Sequence, residues 1–470
     1  MKLRVKIPDY VQTTAKMLID EGFECYLVGG AVKDLVLGRA PHDYDLATDA
    51  LPDEMLNIFP KSVSTGAKFG TILVLVPDSK GEIMQIEVTT FRSEEEYVDG
   101  RWPSSVKFVM QIDEDLGRRD FTFNAMAIDL SALTFDQEEY LVSIYDPFNG
   151  ITDLNRGIVR AVGTPIERFK EDGLRAFRAC RLASELEFEI EEETYNAIRK
   201  SLPVVEMVSM ERIRDEFMKL LLNSPKPSKG INLLKDTGIL SLFLPELLEG
   251  EGVEQKLYHV HDVYTHSLET CDIAEDSVKL VALLHDVGKV RTDMGNGHFY
   301  GHDVVGSQMV GDIMKRMRFS KEEIEKAKKL VRTHMFYYPH VTEDMDSEQK
   351  EKIELHEWTD AAVRRFIQRV GKENLDDLFR LRIADAMSNP SSEFRPDEIT
   401  KLQSHISKVL KEDTALKISD LKITGDDLAH MGVEKGPKMG EILNSLLDVV
   451  IEDPLKNDKK ILLEEAAKMM

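Results

Sequence analysis

Hydrophobic and polar positions alternate with a short period in the first part of the chain, which is typical of strands separated by turns and helices. A helix is predicted from Val32 to Leu37, directly after the turn formed by Gly29 and Gly30. The predicted strands are Tyr26–Val28, Thr71–Val76 and Met84–Val88.

From about residue 165 the hydrophobic period becomes helical. Amphipathic helices are predicted over Asp172–Leu186, Glu191–Lys200 and Glu211–Leu222. Residues 255–390 hold most of the histidines, and residues 396–470 form a Leu- and Lys-rich helical region interrupted by glycines. We therefore predict a multi-domain chain with an α/β head, a mixed sheet with helices, and an all-α remainder. The predicted domains are a head at 1–160, a neck at 161–250, a body at 251–395 and a tail at 396–470.

The composition is that of an ordinary globular protein, with 42% hydrophobic and 31% charged residues among 470. The apolar runs, such as Ile72–Val76, are far shorter than the ~20 residues that span a bilayer. No apolar segment follows the basic start of the chain, so neither a membrane span nor a secretory signal is expected. Cys25, Cys180 and Cys271 lack disulfide or zinc spacing, and we expect them to be buried thiols of a cytoplasmic protein.

Acidic residues outnumber basic ones by 85 to 61, which gives a net charge of −24. This balance argues against nonspecific binding of nucleic acid, which normally requires basic excess. A local basic groove is still compatible with it. Between Arg160 and Arg181, for example, six basic residues face three acidic ones.

Two aspartates, Asp43 and Asp45, follow the first predicted strand and helix. Residues i and i+2 of a strand share one face, so a strand here would place the two carboxylates side by side. Their repulsion favours a neutralising divalent cation such as magnesium. The preceding Gly29 and Gly30 would let backbone amides approach a phosphate. An isolated Asp-x-Asp is more often a solvated turn.

The run Leu27–Arg39, followed by Asp43–Thr48, closely resembles the signature of the class II nucleotidyltransferases, the family of tRNA CCA-adding enzymes and bacterial poly(A) polymerases. The resemblance implies that Asp43 and Asp45 bind catalytic Mg²⁺ and that Gly29 and Gly30 contact the triphosphate. Lys33 stands where the family usually has Arg, so the charge is kept but the bidentate fork is lost.

Further motifs of the family follow in order. Glu87 is a candidate third catalytic carboxylate on a predicted strand, although a surface strand residue is an equally good interpretation. The run Arg118–Met126 resembles the ribose-selecting motif, which implies nucleotide-binding roles for Arg119, Asp120 and Asn124. Ser93–Lys107, with Asp99, Gly100 and Arg101, resembles a loop that enzymes adding only CC lack.

The predicted neck helix carries Asp172 and Arg175 on one face, with Arg178 and Arg181 following. Cytosine and adenine both present an exocyclic amino donor beside a ring-nitrogen acceptor. A carboxylate can accept from the first while a guanidinium donates to the second. Uracil and guanine present the reverse pattern. The pair thus suits CTP and ATP, as the family's nucleotide-recognition motif implies; a solvated salt bridge is the ordinary alternative. Ser209–Glu216 resembles a later motif that braces this helix.

His266, His285, Asp286 and Asp385 follow the H…HD…D order of the HD phosphohydrolase superfamily. Imidazoles and carboxylates brought together from separate helices can bind a transition metal or magnesium. His302 and His334 could complete a second metal position. A core histidine bonded to a neighbouring aspartate is the structural alternative.

The sequence therefore predicts a magnesium-dependent enzyme that adds CCA to the 3′ end of tRNA from CTP and ATP without a template, with no membrane partner. An A-adding enzyme and a poly(A) polymerase remain open, because Asp172 and Arg175 accept adenine in each of them. From other classes, an HD metal phosphohydrolase with a degenerate head and a noncatalytic RNA-binding protein also remain open. The oligomeric state is not predicted.

Overall fold

The structure of the chain is a computed structural model that describes residues 1–64, 66–94, 97–98, 102–103, 106–255, 261–295, 297–338, 358–389, 396–411 and 415–470. It contains two compact units, Met1–Pro245 and Glu246–Met470. The predicted boundary between neck and body at 250 lies close to this division. The loop residues Asp99, Gly100 and Arg101 lie outside the described residues.

A mixed eight-stranded sheet forms the head of the first unit. The described strands are β1 Lys2–Val5, β2 Cys25–Val28, β3 Asp45–Thr48, β4 Ser62–Val63, β5 Thr71–Pro77, β6 Ile83–Thr90, β7 Arg92–Glu94, β8 Tyr97–Val98, β9 Trp102–Pro103, β10 Val106–Phe108, β11 Ala127–Asp129, β12 Tyr140–Tyr145, β13 Ile158–Val159 and β14 Glu189–Ile190. The order in the eight-stranded sheet is β1-β12-β11-β2-β3-β6-β5-β4. Within it β3 and β6 are parallel, whereas the other neighbouring pairs are antiparallel.

The three strands predicted from the sequence correspond to β2, β5 and β6. The alternation along β5 explains why the prediction works, because Ile72, Val74 and Val76 are buried while Leu73 and Leu75 between them are partly exposed. The core of the sheet also contains fully buried residues of β2 and β3, such as Leu27 and Leu46.

Helices flank this sheet and then make up most of the rest of the first unit. The helix predicted to begin at Asp172 begins at Leu174. The helix predicted over Glu191–Lys200 begins one residue later, and the one predicted over Glu211–Leu222 is longer by one residue at each end. The α-helices are Asp9–Asp20, Gly30–Val36, Pro52–Ile58, Ile112–Gly117, Gly150–Arg156, Pro165–Glu171, Leu174–Leu186, Glu192–Lys200, Leu202–Val205, Met210–Asn223, Pro227–Thr237, Leu240–Phe243 and Pro245–Leu248, the last of which crosses the division between the units.

The described part of the second unit is helical, as predicted. Its α-helices are Val263–Ile273, Lys279–Leu284, His302–Arg316, Lys321–Thr333, Asp360–Val370, Leu375–Met387, Pro396–Lys411, Gly425–His430, Pro437–Glu452 and Lys459–Ala467. Near the end of the chain a separate cluster packs Leu428, Leu446, Val450 and Leu462 together. No helix among the described residues is long and apolar enough to cross a membrane. The three cysteines are buried and unpaired, as predicted.

Candidate active site and metal centre

Two of the three predicted catalytic carboxylates lie on neighbouring strands of the head. Asp45 is the first residue of β3, and the parallel register pairs it directly with Glu87 of β6. Residues opposite one another in a sheet present their side chains to the same face. Asp43 does not lie on the strand, contrary to the sequence prediction. The other neighbour of β3, β2, ends at Val28 opposite Asp45, so no ladder on that side continues back to Asp43.

The electrostatics of Asp45 reflect this crowding. The pKa of Asp45 is raised to about 6, mainly by burial and also by repulsion from Glu87 and Asp43, while Arg119 opposes the rise. Asp43 and Glu87 are themselves exposed. Three carboxylates around one point supply the hard oxygen ligands that Mg²⁺ prefers, and a divalent cation would relieve their repulsion. The donor set therefore fits the predicted magnesium.

The turn after β2 approaches this carboxylate cluster closely. Gly29 has φ +72°, which L side chains rarely adopt, and a Cβ there would lie 3.1 Å from Nη1 of Arg119 and 3.7 Å from Oδ2 of Asp45. Gly30 begins the helix that follows. Lys33 on that helix has its ammonium 3.2 Å from the carboxylate of Asp34. The turn thus places backbone, the guanidinium of Arg119 and the carboxylate of Asp45 side by side.

Three of the predicted nucleotide-binding residues come together at Asp120. Its carboxylate accepts hydrogen bonds from Nδ2 of Asn124 at 3.0 Å and from the amide of Phe121 at 2.9 Å. Nη1 of Arg178, on the helix Leu174–Leu186, lies 2.9 Å from its other oxygen. Burial works against the charged form, but Arg178 and Asn124 outweigh it, so the pKa of Asp120 is below its usual range. The neck helix and the head motif therefore meet through an ion pair between the partly exposed Arg178 and the buried Asp120.

Asp172 and Arg175, the predicted base-selecting pair, are each held by a different partner. Asp172 lies in the turn before the neck helix, where Oδ1 accepts from the amide of Leu174 at 3.0 Å and Oδ2 from Nη2 of Arg212 at 2.6 Å. Nη1 of Arg175 donates to Glu171 at 2.5 Å. Each oxygen of Asp172 has a second lone pair, so these bonds leave acceptor capacity for a ligand.

Arg181 is engaged in a different way. Its side chain is buried and donates from Nε to Glu216 at 2.6 Å and from Nη1 to Glu185 at 2.7 Å. Two carboxylates on two helices thus bind one guanidinium. This arrangement favours a bracing role over the predicted nucleotide contact.

The six histidine and aspartate residues predicted for the second unit lie in one buried cluster. They form two groups in which the potential ligand atoms all lie within 4.8 Å of one another. The first group contains His266, His285 and Asp385, and the second contains Asp286, His302 and His334. The side chains come from several helices and their ends, which is why only the order of the motif was visible in the sequence.

The orientation of three of these histidines suits metal binding. Nδ1 of His285, His302 and His334 lies 2.7, 2.8 and 2.6 Å from the backbone carbonyl oxygen three residues earlier. A carbonyl accepts only, so Nδ1 carries a proton in all three histidines. Burial lowers the pKa of His302 and of His334, so these two rings are neutral and direct their Nε2 lone pairs into the cluster. The Nε2 atoms of His302 and His334 lie only 3.4 Å apart. Two lone pairs that face each other repel unless a cation lies between them, so the donor set fits a divalent metal.

Charge in the cluster is balanced by nearby cations. Burial disfavours a charged imidazole, but Asp286 and Asp385 outweigh it and raise the pKa of His285 to about 10, whereas burial lowers that of His334 to about 4. Nζ of Lys289, which the sequence analysis did not single out, lies 2.5 Å from Asp286. A proton on His285 and a metal ion would compete for the same negative field.

Comparison with known proteins identifies the family. A model of the poly A polymerase head domain matches residues 25–160, one described as "Probable RNA and SrmB- binding site of polymerase A" matches 187–250, and one described as "tRNA nucleotidyltransferase domain 2 putative" matches 304–466. The CCA-adding enzyme of Ligilactobacillus salivarius is 32% identical over 96% of this chain and 94% of its own length, and that of Lactococcus lactis subsp. lactis is 31% identical over 100% of both. The chain belongs to the CCA-adding enzyme family.

Solved structures agree with this assignment. The CCA-adding enzyme of Bacillus stearothermophilus in complex with CTP has a TM-score of 0.67 and 26% identity, and covers 98% of this chain and 96% of that chain. The CCA-adding enzyme of Thermotoga maritima complexed with tRNA, at a TM-score of 0.51 and 19% identity, shows the shared fold alone. The matching family models describe polymerase and tRNA nucleotidyltransferase domains.

Several residues that support the site were missed at the level of sequence. Glu171 and Arg212 hold Arg175 and Asp172, the predicted base-selecting pair, and Asp115 holds Arg119. Glu171 and Asp115 carry a local signal, because each precedes its arginine by four residues, the spacing at which ion pairs form along a helix. The Arg212 contact crosses 40 residues and has no such local signal.

Proposed function

We propose that the chain is a template-independent tRNA nucleotidyltransferase that adds C, C and A to the 3′ end of tRNA from CTP and ATP and releases pyrophosphate. The register that sets Asp45 of β3 opposite Glu87 of β6, beside Asp43, carries the proposal. It is supported by the full-length similarity to proteins named CCA-adding enzymes and by the likeness to one solved with CTP.

Asp43, Asp45 and Glu87 would hold Mg²⁺, which supplies charge neutralisation for in-line displacement at the α-phosphate when bound. The terminal hydroxyl of tRNA would attack that phosphate as pyrophosphate leaves. Arg119, next to the Gly29 turn, would bind the triphosphate and offset its negative charge. Asp120, held by Arg178 and Asn124, would fix the sugar side of the pocket.

The neck would choose the base. We propose that Asp172 accepts a hydrogen bond from the exocyclic amino group of cytosine or adenine while Arg175 donates to the ring nitrogen. Arg212 and Glu171 would keep these two side chains in place. With uracil or guanine the buried polar groups would be left unpaired, at a cost of about 1–3 kcal/mol for each group.

Extension of tRNA transcripts that end in the discriminator base, in C or in CC tests this function. With CTP, ATP and Mg²⁺ we expect growth to CCA and then arrest. Extension of only the CC transcript would indicate an A-adding enzyme, and unlimited A tails a poly(A) polymerase. Asp45→Asn should abolish extension, whereas Asp49→Asn, at the other end of β3, should not. Full activity of the Asp45 variant would refute the proposed site.

The buried histidine cluster supports a second activity, a divalent-metal phosphohydrolase of the HD type. The two ligand groups and the facing Nε2 atoms of His302 and His334 favour this over a core packed with satisfied histidines. Full-length protein should bind Mn²⁺ and hydrolyse 2′,3′-cyclic nucleotides. Asp385→Asn should lose both properties without losing tRNA extension, and His405→Gln should keep all three. A protein that binds no divalent metal would exclude this activity.

A further inference from the structure

A buried carboxylate lies against the two arginines that precede Asp120. Asp115 is 1% exposed on the helix Ile112–Gly117, and Arg118 and Arg119 follow it by three and four residues. Arg118 donates to Oδ1 from Nε at 2.9 Å and from Nη2 at 2.8 Å, and Arg119 donates from Nη2 to Oδ2 at 3.3 Å. Each oxygen of the carboxylate thus binds a different guanidinium.

The charge of Asp115 is stabilised by these neighbours. Burial works against ionisation, but the guanidiniums of Arg118 and Arg119 outweigh it, so the pKa of Asp115 lies below its usual range. A buried carboxylate that stays ionised beside two arginines fixes their orientation, because removing it would leave charge without a partner in a poorly solvated place.

The far end of the Arg119 guanidinium lies beside the same turn as the carboxylate of Asp45. Its Nη1 lies 3.1 Å from the position a Cβ would take on Gly29, and its charge acts on Asp45. Its Nε is buried and has no hydrogen-bond partner among the described residues. The ion pair with Asp115 therefore holds one end of the guanidinium and leaves the other directed at the turn after β2.

Asp115 also contacts the chain where it leaves the sheet. The backbone amide of Arg92 donates to its Oδ1 at 3.4 Å. Arg92 is the first residue of β7, which pairs with β10. The same carboxylate thus links the start of this two-stranded sheet to the arginine beside the active site.

We propose that Asp115 is a positioning residue that holds Arg119 against the Gly29 turn, ready to receive the triphosphate of the incoming nucleotide. This role rests on the proposed nucleotidyl transfer. It gives the head a fixed cation beside Asp45 before any nucleotide arrives, so the protein does not have to order a long side chain during binding.

A double-mutant cycle tests this role by measuring the equilibrium binding of ATP to the full chain in the presence of Mg²⁺. The measurement needs no turnover. Asp115→Asn and Arg119→Gln should each weaken binding about tenfold, as expected for loss of a charged hydrogen bond. The double variant should bind no more weakly than Arg119→Gln, because Asp115 acts through that arginine. Wild-type affinity in Asp115→Asn, or losses that multiply in the double variant, would overturn the assignment.

Asp377 in the second unit provides a matched control. It is a buried carboxylate that pairs with Lys326 at 2.6 Å and Arg380 at 2.9 Å. Asp377→Asn should leave ATP binding unchanged, which separates positioning from general loss of stability. If Asp115→Asn does not fold, Asp115→Glu keeps the charge but moves it by one methylene, and unaltered ATP affinity there would also overturn the role. Failure of the wild type to extend tRNA would refute the proposed function, while the binding cycle still decides the role of Asp115.

Discussion

Gly288, two residues after Asp286, provides a sharp test of how the histidine cluster is built. Its backbone packs against the start of the helix His302–Arg316. A Cβ at position 288 would lie 2.3 Å from the carbonyl oxygen of His302 and 2.4 Å from the amide nitrogen of Gly306. Both are backbone atoms, so no rotamer change can relieve the overlap.

The expected loss of stability in Gly288→Ala follows from these distances. Carbon and carbonyl oxygen normally approach to about 3.3–3.6 Å, so Gly288→Ala must separate the two segments by about 1 Å. Such overpacking costs about 1–3 kcal/mol, and in a domain of this size each kcal/mol lowers Tm by about 2–4 °C. The shift would also move His302 away from Asp286, whose Oδ1 lies 3.5 Å from its Nε2. We therefore expect a Tm lower by about 2–12 °C and weaker Mn²⁺ binding.

Gly306→Ala is the matched control, because it adds the same methyl group to the other side of the contact. A Cβ there would meet the amide nitrogen of Gly288 and Cγ1 of Val331 at 3.4 Å each, and alanine is the better helix former by about 1 kcal/mol. Thermal unfolding of the full chain and Mn²⁺ titration should show little change. Equal changes in Tm for the two alanine variants, or an unchanged Tm and Mn²⁺ affinity in Gly288→Ala, would refute the close-packing argument.

Three further outcomes are expected. Gly29→Ala forces a side chain against Arg119 in a backbone conformation that L residues rarely adopt. In urea denaturation the free energy of unfolding should therefore fall by about 1–3 kcal/mol, and an unchanged midpoint would contradict this. Glu216→Gln leaves the buried Arg181 with one carboxylate and should destabilise the protein by about 3 kcal/mol in the same assay, whereas a loss below about 0.5 kcal/mol would argue against a brace. In calorimetry with and without a chelator, Mn²⁺ at 100 times its Kd should raise the free energy of unfolding of the wild type by about 2.7 kcal/mol. The same concentration of Mn²⁺ should not stabilise Asp286→Asn.

Much of the head could be predicted from local sequence because the relevant signals are local. Alternation along β5 and the glycine pair after β2 each act within a few residues, and the structure has both elements at the predicted places. The prediction that Asp43 and Asp45 share a strand is wrong at Asp43. On one side of β3 the ladder ends where β2 ends, at Val28 opposite Asp45. The extent of a neighbouring strand is tertiary information that no local pattern contains.

Local sequence likewise identified the predicted site residues but not the distant residues that hold them in place. Motif order alone identified Asp172 as a candidate, but its partner Arg212 lies 40 residues away. Arg181 and Glu216 are 35 residues apart, and their ion pair turns a predicted nucleotide ligand into a candidate brace. Charged residues on a helix look alike in sequence. Their roles diverge once packing decides which of them meets a carboxylate and which of them is left facing a pocket.

The histidine cluster shows what geometry adds to an ambiguous motif. From sequence, a histidine near an aspartate fits a satisfied core residue as well as a metal ligand. A satisfied core histidine would donate its proton to the carboxylate. In His285, His302 and His334 the Nδ1 proton instead goes to the carbonyl three residues earlier, within the local turn. Burial lowers the pKa of His302 and of His334, so these neutral rings direct their Nε2 lone pairs at each other and at Asp286, an arrangement that is repulsive until a cation occupies it. The tautomer imposed by the backbone, rather than the residue types, therefore favours the metal-ligand interpretation.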